Sequence, residues 1–396
     1  MSRPTDGCPD AGQLVASGVH PGPADYLARC ADWRARAPLA AIEHRQFGSF
    51  AAVLSHSLVD QVARDDRRFS HGPRSMLQEP AGPLPAGAPR SLIDVDGAEH
   101  RMLRALVAEP FSPAAVRGLR GPVAELARYA VARAVRAGRP VDLVAELAMP
   151  YALRGLMLAL GLPAAETGWI NRLTTEPFSR DGRAKLGYLD RLLQQLAGAP
   201  GRAPLSALLA AERTVGRAQQ VMLLLTLLTA GHETTGAAAA SGLRCLMDRP
   251  ELLTRLATAA PDEADGLLAR ITEEILRTAT PITGFVRTAA VDAELAGLPV
   301  PAGQRLWLCF PAANADGGAF PDPDAFDPDR PAVRHLGFGA GSHHCLGAGL
   351  ARMQLSELVR AVAGAAVRLV PAGPPRYYQH HFLRRYTELP ALLRAG

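Results

Sequence analysis

Residues Phe338–Gly347 read FGAGSHHCLG: three glycines, two adjacent histidines and one cysteine. Each role open to Cys345 belongs to a different architecture, so this stretch decides the fold. A buried thiol is the common fate of a free cysteine. Against it, Gly339 and Gly341 offer a Cβ-free approach to something flat or bulky. The amphipathic segment LGAGLARMQLSELVRAV follows at once, and the free N–H groups of a helix start favour a thiolate. Zinc needs three or four ligands, and His343, His344 and Cys345 are too close together for a tetrahedral set. The run GFGAGS lacks the third glycine and the βαβ setting of a dinucleotide loop. A single thiolate on a redox metal stays open.

Outward from the cysteine, the chain reads as one unit over residues 1–396, mostly helical with small sheets, after an irregular lead-in at 1–22. ADYLARCADWRARAPLAAI is amphipathic at helical spacing, and FGSFAAVLSHSLVDQVARD reads as a short strand and then a helix. Residues 71–91 carry five prolines and no periodicity; a loop this long in a compact protein is usually functional. In DGAE, Asp96 and Glu99 have the spacing of a capping box that opens a helix at Gly97. Helical patterns run to Lys185 and again over about 203–280. Strand-like pieces follow at GFVRTAAV, AELAGLPV and QRLWLCF, then the proline-dense FPDPDAFDPDRP. A helix from about Leu346 to Gly364 and a β-like tail complete the chain.

A net charge of +5 and a pI of about 9.2 raise the question of nucleic acid. The basic residues are arginines apart from Lys185, and no basic run is interleaved with aromatics, so nucleic acid is not expected. A basic patch for an acidic protein remains in keeping with the charge. The five cysteines include no C-x-x-C pair, which fits a reducing cytosol rather than a disulfide framework. The N-terminus has no apolar core of the signal-peptide kind. The apolar run Val221–Leu228 is far short of the roughly 20 residues of a membrane span. A cytoplasmic protein, free of the membrane and monomeric, is expected.

The pattern F-G-x-G-x-H-x-C-x-G is complete at Phe338, Gly339, Gly341, His343, Cys345 and Gly347. With it the chain resembles the cytochrome P450 family from about residue 25 to the end. The resemblance implies the P450 fold, with haem b between a long central helix and the cysteine loop. Cys345 would be the proximal iron ligand, its thiolate pushing electron density into the metal. His343 would reach a haem propionate; His344 falls on a variable position and receives no role.

Other stretches then take on meaning. In LLLTLLTAGHETTGAAAAS the resemblance makes Ala230 and Gly231 the small residues that let the haem approach and the helix bulge. Glu233 would relay protons, and Thr234 would hydrogen-bond the oxygen intermediate. Standing alone, the stretch would pass for a core helix; HETTG is not a zinc-protease site, since Gly236 takes the second histidine's place. His100 and Arg104, one helix face apart at i, i+4, and Arg287 would join His343 in clamping the propionates. Glu274 and Arg277 would form a buried network with Arg330, bracing the fold rather than reacting. Two family positions depart, with Ala315 and Gly317 where arginine and proline are common. The segment 164–203 is shorter than expected for the roof of the pocket, and RYYQHHFLRRY is unusually polar and aromatic for a pocket-lining turn.

The implied function is a bacterial haem-thiolate monooxygenase that hydroxylates an organic substrate, in secondary metabolism, with electrons from a separate acidic ferredoxin and its reductase docking near Arg352. Oxidative coupling of aromatic groups in a peptide, cyclic dipeptide or carrier-bound substrate is the alternative within the class. A haem sensor or carrier without turnover is the alternative outside it; it would have no use for Glu233 and Thr234.

Overall fold

The computed structural model describes residues 23–77, 85, 87–175, 181–197, 204–331, 334–378 and 380–395. The lead-in at 1–22 and parts of the 71–91 loop and the 164–203 segment lie outside the described residues.

The chain opens with α1 (Pro23–Arg36), a hairpin of β1 (Leu39–His44) and β2 (Gly48–Val53), α2 (His56–Arg64) and β3 (Phe69–Ser70). The first helix is shorter than its periodicity suggests. Pro38 disfavours helical backbone at Ala37, so LAAIEH leaves the helix and pairs with GSFAAV, Ile42 opposite Phe50. Next come α3 (Gly97–Val107), α4 (Pro113–Arg136), β4 (Val141–Asp142), a π-helical turn (Leu143–Ala148) and α5 (Met149–Leu160). Then follow α6 (Thr167–Thr175), α7 (Gly182–Ala197), the short α8 (Ser206–Ala210) and α9 (Glu212–Val215), α10 (Arg217–Asp248), α11 (Pro250–Thr258) and α12 (Pro261–Ala279). The last part holds β5 (Gly284–Ala289), the β6–β7 hairpin (Ala293–Leu295, Leu298–Val300), β8 (Arg305–Cys309), α13 (Phe310–Asn314) and α14 (Ala348–Gly364). It closes with β9 (Val367–Pro371), β10 (Arg376–Tyr377), β11 (Tyr386–Glu388) and β12 (Pro390–Ala395).

α10 is the axis of the molecule. Its 32 residues pack against α5, α12 and α14. Leucines and alanines on several faces suit a helix surrounded by others. Between Arg217 and Arg244 its only Asp, Glu, Lys or Arg is Glu233. A Cβ on Gly231 would lie 2.8 Å from Leu156 Cδ1, and one on Gly236 2.3 Å from Met149 Sδ. These glycines therefore serve the packing of α10 on α5. The expected bulge is absent: α10 is helical throughout Ala230–Thr234. Leu143–Leu160 is the one helical stretch among the described residues long and apolar enough to cross a membrane; 72% of it is buried inside the protein.

The five-stranded sheet has the order β1-β2-β8-β5-β3, with β2 parallel to β8 and the other neighbours antiparallel. Pairing of Ser70 with Thr288 brings His71 to the strand that carries Arg287. A second sheet, β4-β12-β9, fixes the tail.

Candidate active site

The cysteine loop is built by its own backbone. Cys345 N–H donates to Phe338 C=O at 2.9 Å, and Gly339 N–H to Leu336 C=O at 2.9 Å. Gly339 and Gly341 have φ of +67° and +72°, the left-handed region that favours glycine. The close approach at Gly341 is to protein: a Cβ there would lie 2.4 Å from the Ala63 carbonyl oxygen, at the end of α2. Gly339 would meet only Phe310, at 4.0 Å. The expectation that Gly341 clears space for a flat group is thus corrected.

Cys345 is a free thiol with exposed surface, although its loop lies within the fold. Burial pushes its pKa up; a hydrogen bond from the Gly347 N–H and the charges of Arg104 and Arg352 pull the other way. The thiol is thus crowded by protein atoms while keeping solvent-accessible surface. α14, which starts beyond the loop, packs on α10. On α10, Ala230 is exposed and Thr234 half-buried, while Leu228, His232 and Thr235 around them are buried. The Thr234 hydroxyl donates to the Ala230 C=O at 2.5 Å.

Three imidazoles stand in a column. His343 stacks on His71 at 3.5 Å and on His100 at 4.0 Å between ring centroids. His343 Nε2 lies 3.2 Å from Asp96 Oδ1. Asp96 Oδ2 accepts from the Ser70 hydroxyl at 2.6 Å and the His71 N–H at 2.8 Å. The capping box is accordingly not formed. Asp96 holds the N-cap position of α3 without a side-chain cap bond, because donors across the loop claim its carboxylate. Glu99 instead accepts from Arg90 at 2.8 Å. Burial, then the charges of His343 and Arg104, bring the His100 pKa down to about 4.

Arg287 is buried and under-used. Its Nη2 donates to Ala63 C=O at 3.2 Å, while Nε and Nη1 find no partner. Burial lowers its pKa to about 9. Both ring nitrogens of buried His71 are also unpartnered. An orphaned guanidinium and an orphaned imidazole fit the two carboxylates of a haem, as Cys345 fits its iron. Arg104, on α3, donates to His344 C=O at 2.8 Å and so ties this helix to the cysteine loop.

Glu274 and Arg277 form a buried bidentate pair, with contacts of 2.7 and 2.8 Å. Arg277 also donates to the carbonyls of Asn314, Pro323 and Ala325. Arg330 Nε lies 3.5 Å from Glu274 Oε1, and its Nη atoms bond to carbonyls of Pro321, Asp322 and Ala325. Arg352 pairs with Glu273 at 2.7 Å and lies over the Phe338 ring at 4.6 Å, its side chain remaining partly exposed.

Sequence reasoning missed His71, the acceptor role of Asp96 and Arg385, whose Nη2 lies 3.5 Å from Glu233 Oε1. His71 sits in the loop marked as functional, but nothing in its spacing singles it out.

Residues 194–362 match the family model "Cytochrome P450". The chain is 32% identical to mycinamicin IV hydroxylase/epoxidase of Micromonospora griseorubida, over 83% of this chain and 85% of that one. It is also 32% identical to nocardicin C N-oxygenase of Nocardia uniformis subsp. tsuyamanensis, over 96% of each. Among solved structures it is similar to P450 OxyD, involved in the biosynthesis of vancomycin-type antibiotics, with a TM-score of 0.86, 25% identity, and 98% of this chain and 100% of that one covered. At such identity over nearly the whole length, the chain belongs to the cytochrome P450 family and is an oxidoreductase of the monooxygenase kind.

Proposed function

We propose that this protein is a cytoplasmic haem b monooxygenase that hydroxylates an organic substrate of bacterial secondary metabolism, drawing electrons from an acidic ferredoxin and its reductase. The observation that carries the reading is Cys345: a free, solvent-accessible thiol just ahead of α14, with an N–H and two arginines that favour its thiolate. Relatives that act on mycinamicin IV and nocardicin C support secondary metabolism.

Haem, when bound, supplies activation of dioxygen with electrons received one at a time. The chain's residues do the rest. Cys345 Sγ would hold the iron. Arg287, with His343, His100 and His71, would hold the carboxylates, while Arg104 fixes the cysteine loop to α3. Thr234 Oγ1, now donating to Ala230, presents its lone pairs to the cleft and can turn its proton there. Burial raises the Glu233 pKa above the ordinary carboxyl value, so its carboxyl carries protons nearer neutral pH than an exposed one. The Glu274–Arg277–Arg330 network holds the meander behind the cysteine loop.

The test has two readouts. The reduced carbon-monoxide complex of the wild type should show the far-shifted Soret band of thiolate ligation, and Cys345→Ser should lose that band while staying folded. With a substrate found by displacement of iron-bound water, the product should gain the mass of one oxygen. Loss of two hydrogens would replace hydroxylation with oxidative coupling; a colourless protein after haem-supplemented expression would overturn the reading.

A further inference from the structure

The polar turn RYYQHHFLRRY reaches the acid of α10. Arg385 Nη2 is 3.5 Å from Glu233 Oε1, both side chains being mostly buried. The distance is that of an ion pair, longer than a good hydrogen bond. Arg385 Nε is buried without a partner, and the guanidinium lies over the Tyr378 ring at 4.3 Å. The turn is anchored. Thr283 N–H donates to Phe382 C=O at 3.0 Å, Arg384 N–H to Pro281 C=O at 2.7 Å, and Tyr378 N–H to Arg385 C=O at 2.9 Å. The first two bonds attach it to the approach to β5, the strand that holds Arg287, and the third closes the turn on itself.

Among the described residues, Arg385 is the one charge that acts on Glu233. His232, its neighbour, turns away: Nδ1 meets the Thr174 hydroxyl on α6 at 2.7 Å and Nε2 the Met149 C=O at 3.2 Å. Burial brings its pKa to about 4, so it is neutral at physiological pH. Burial raises the pKa of Glu233 and Arg385 opposes that rise.

We propose that Arg385 is a positioning residue: it holds the Glu233 carboxylate in an ion pair, so that the C-terminal turn restrains proton delivery toward Thr234 until substrate in the cleft displaces the guanidinium. This rests on the role given to Glu233 under Proposed function. The looseness of the contact and the unused Nε suit a latch better than a permanent brace.

The experiment uses the haem-loaded protein and the variants Arg385→Gln, Arg385→Lys, Glu233→Gln and the double variant. The infrared carboxyl band that Glu233→Gln removes is followed against pH. In Arg385→Gln its midpoint should rise by about one unit, as loss of a neighbouring opposite charge requires, and Arg385→Lys should restore it. With ferredoxin and reductase, substrate-free NADH consumption should rise several-fold in Arg385→Gln. In the Glu233→Gln background the same change should add nothing. An unchanged infrared midpoint, or additive effects in the double variant, would overturn the latch. The infrared arm needs no product, so a failed monooxygenase reading would appear separately, as absence of oxygenated product.

Discussion

At the scale of single residues, Arg287 carries the strongest unmet demand for a partner within the proposed site. A buried cation with two unpartnered nitrogens and a pKa brought to about 9 is a cost to the protein alone. It becomes an asset when a carboxylate arrives. Arg287→Met should therefore leave the haem-free protein as stable or more so, while haem dissociates at least about tenfold faster, a loss in the range of one charge-assisted hydrogen bond. Haem transfer to apomyoglobin and urea unfolding of the apoprotein measure the two effects. Thr234→Ala is expected to keep the thiolate Soret band and to lower the ratio of product formed to NADH consumed. At this scale the sequence was legible wherever a motif imposes its spacing, as around Cys345. His71 and Arg385 were not, because their partners are reached only through loops.

Elements show why the cysteine loop has its shape. Gly341 combines a left-handed backbone with a Cβ position 2.4 Å from the Ala63 carbonyl. Gly341→Ala should thus cost about 2 kcal/mol or more, from left-handed strain of about 1–2 kcal/mol and the clash with α2; chemical denaturation of the holoprotein would read it. Neighbours likewise explain one misread helix end and one misread cap. Local pattern carried the amphipathic signal past Arg36, yet Pro38 and pairing with β2 turned that segment into a strand. Asp96 kept its N-cap position but gave its carboxylate to Ser70, His71 and His343. Elements were legible as periodicities; their ends were decided by neighbours absent from any local window.

For the whole molecule, Glu273 ties three parts together: α12, which carries it, Arg352 on α14, and His335 just ahead of the cysteine loop. Burial would raise its pKa, but the hydrogen bonds of His335 and Arg352 bring it down to about 2, against an ordinary 4.5. A carboxyl with a depressed folded pKa stabilises fully above its unfolded value and loses that contribution as pH falls toward the folded one. Glu273→Gln should accordingly flatten the fall in stability between about pH 4.5 and 2, with little change in the slope above it. Thermal melts at stepped pH would show this.

The sequence by itself determined the family, the proposal of Cys345 as iron ligand and the presence of an acid and a hydroxyl in an apolar helix, because those features depend on residue type at short spacing. Tertiary structure decided which donors Asp96 serves, why Gly341 must lack a side chain, and that an arginine from the C-terminal turn meets Glu233. These are contacts between segments far apart in the chain, set by packing and burial, to which no local spacing is coupled.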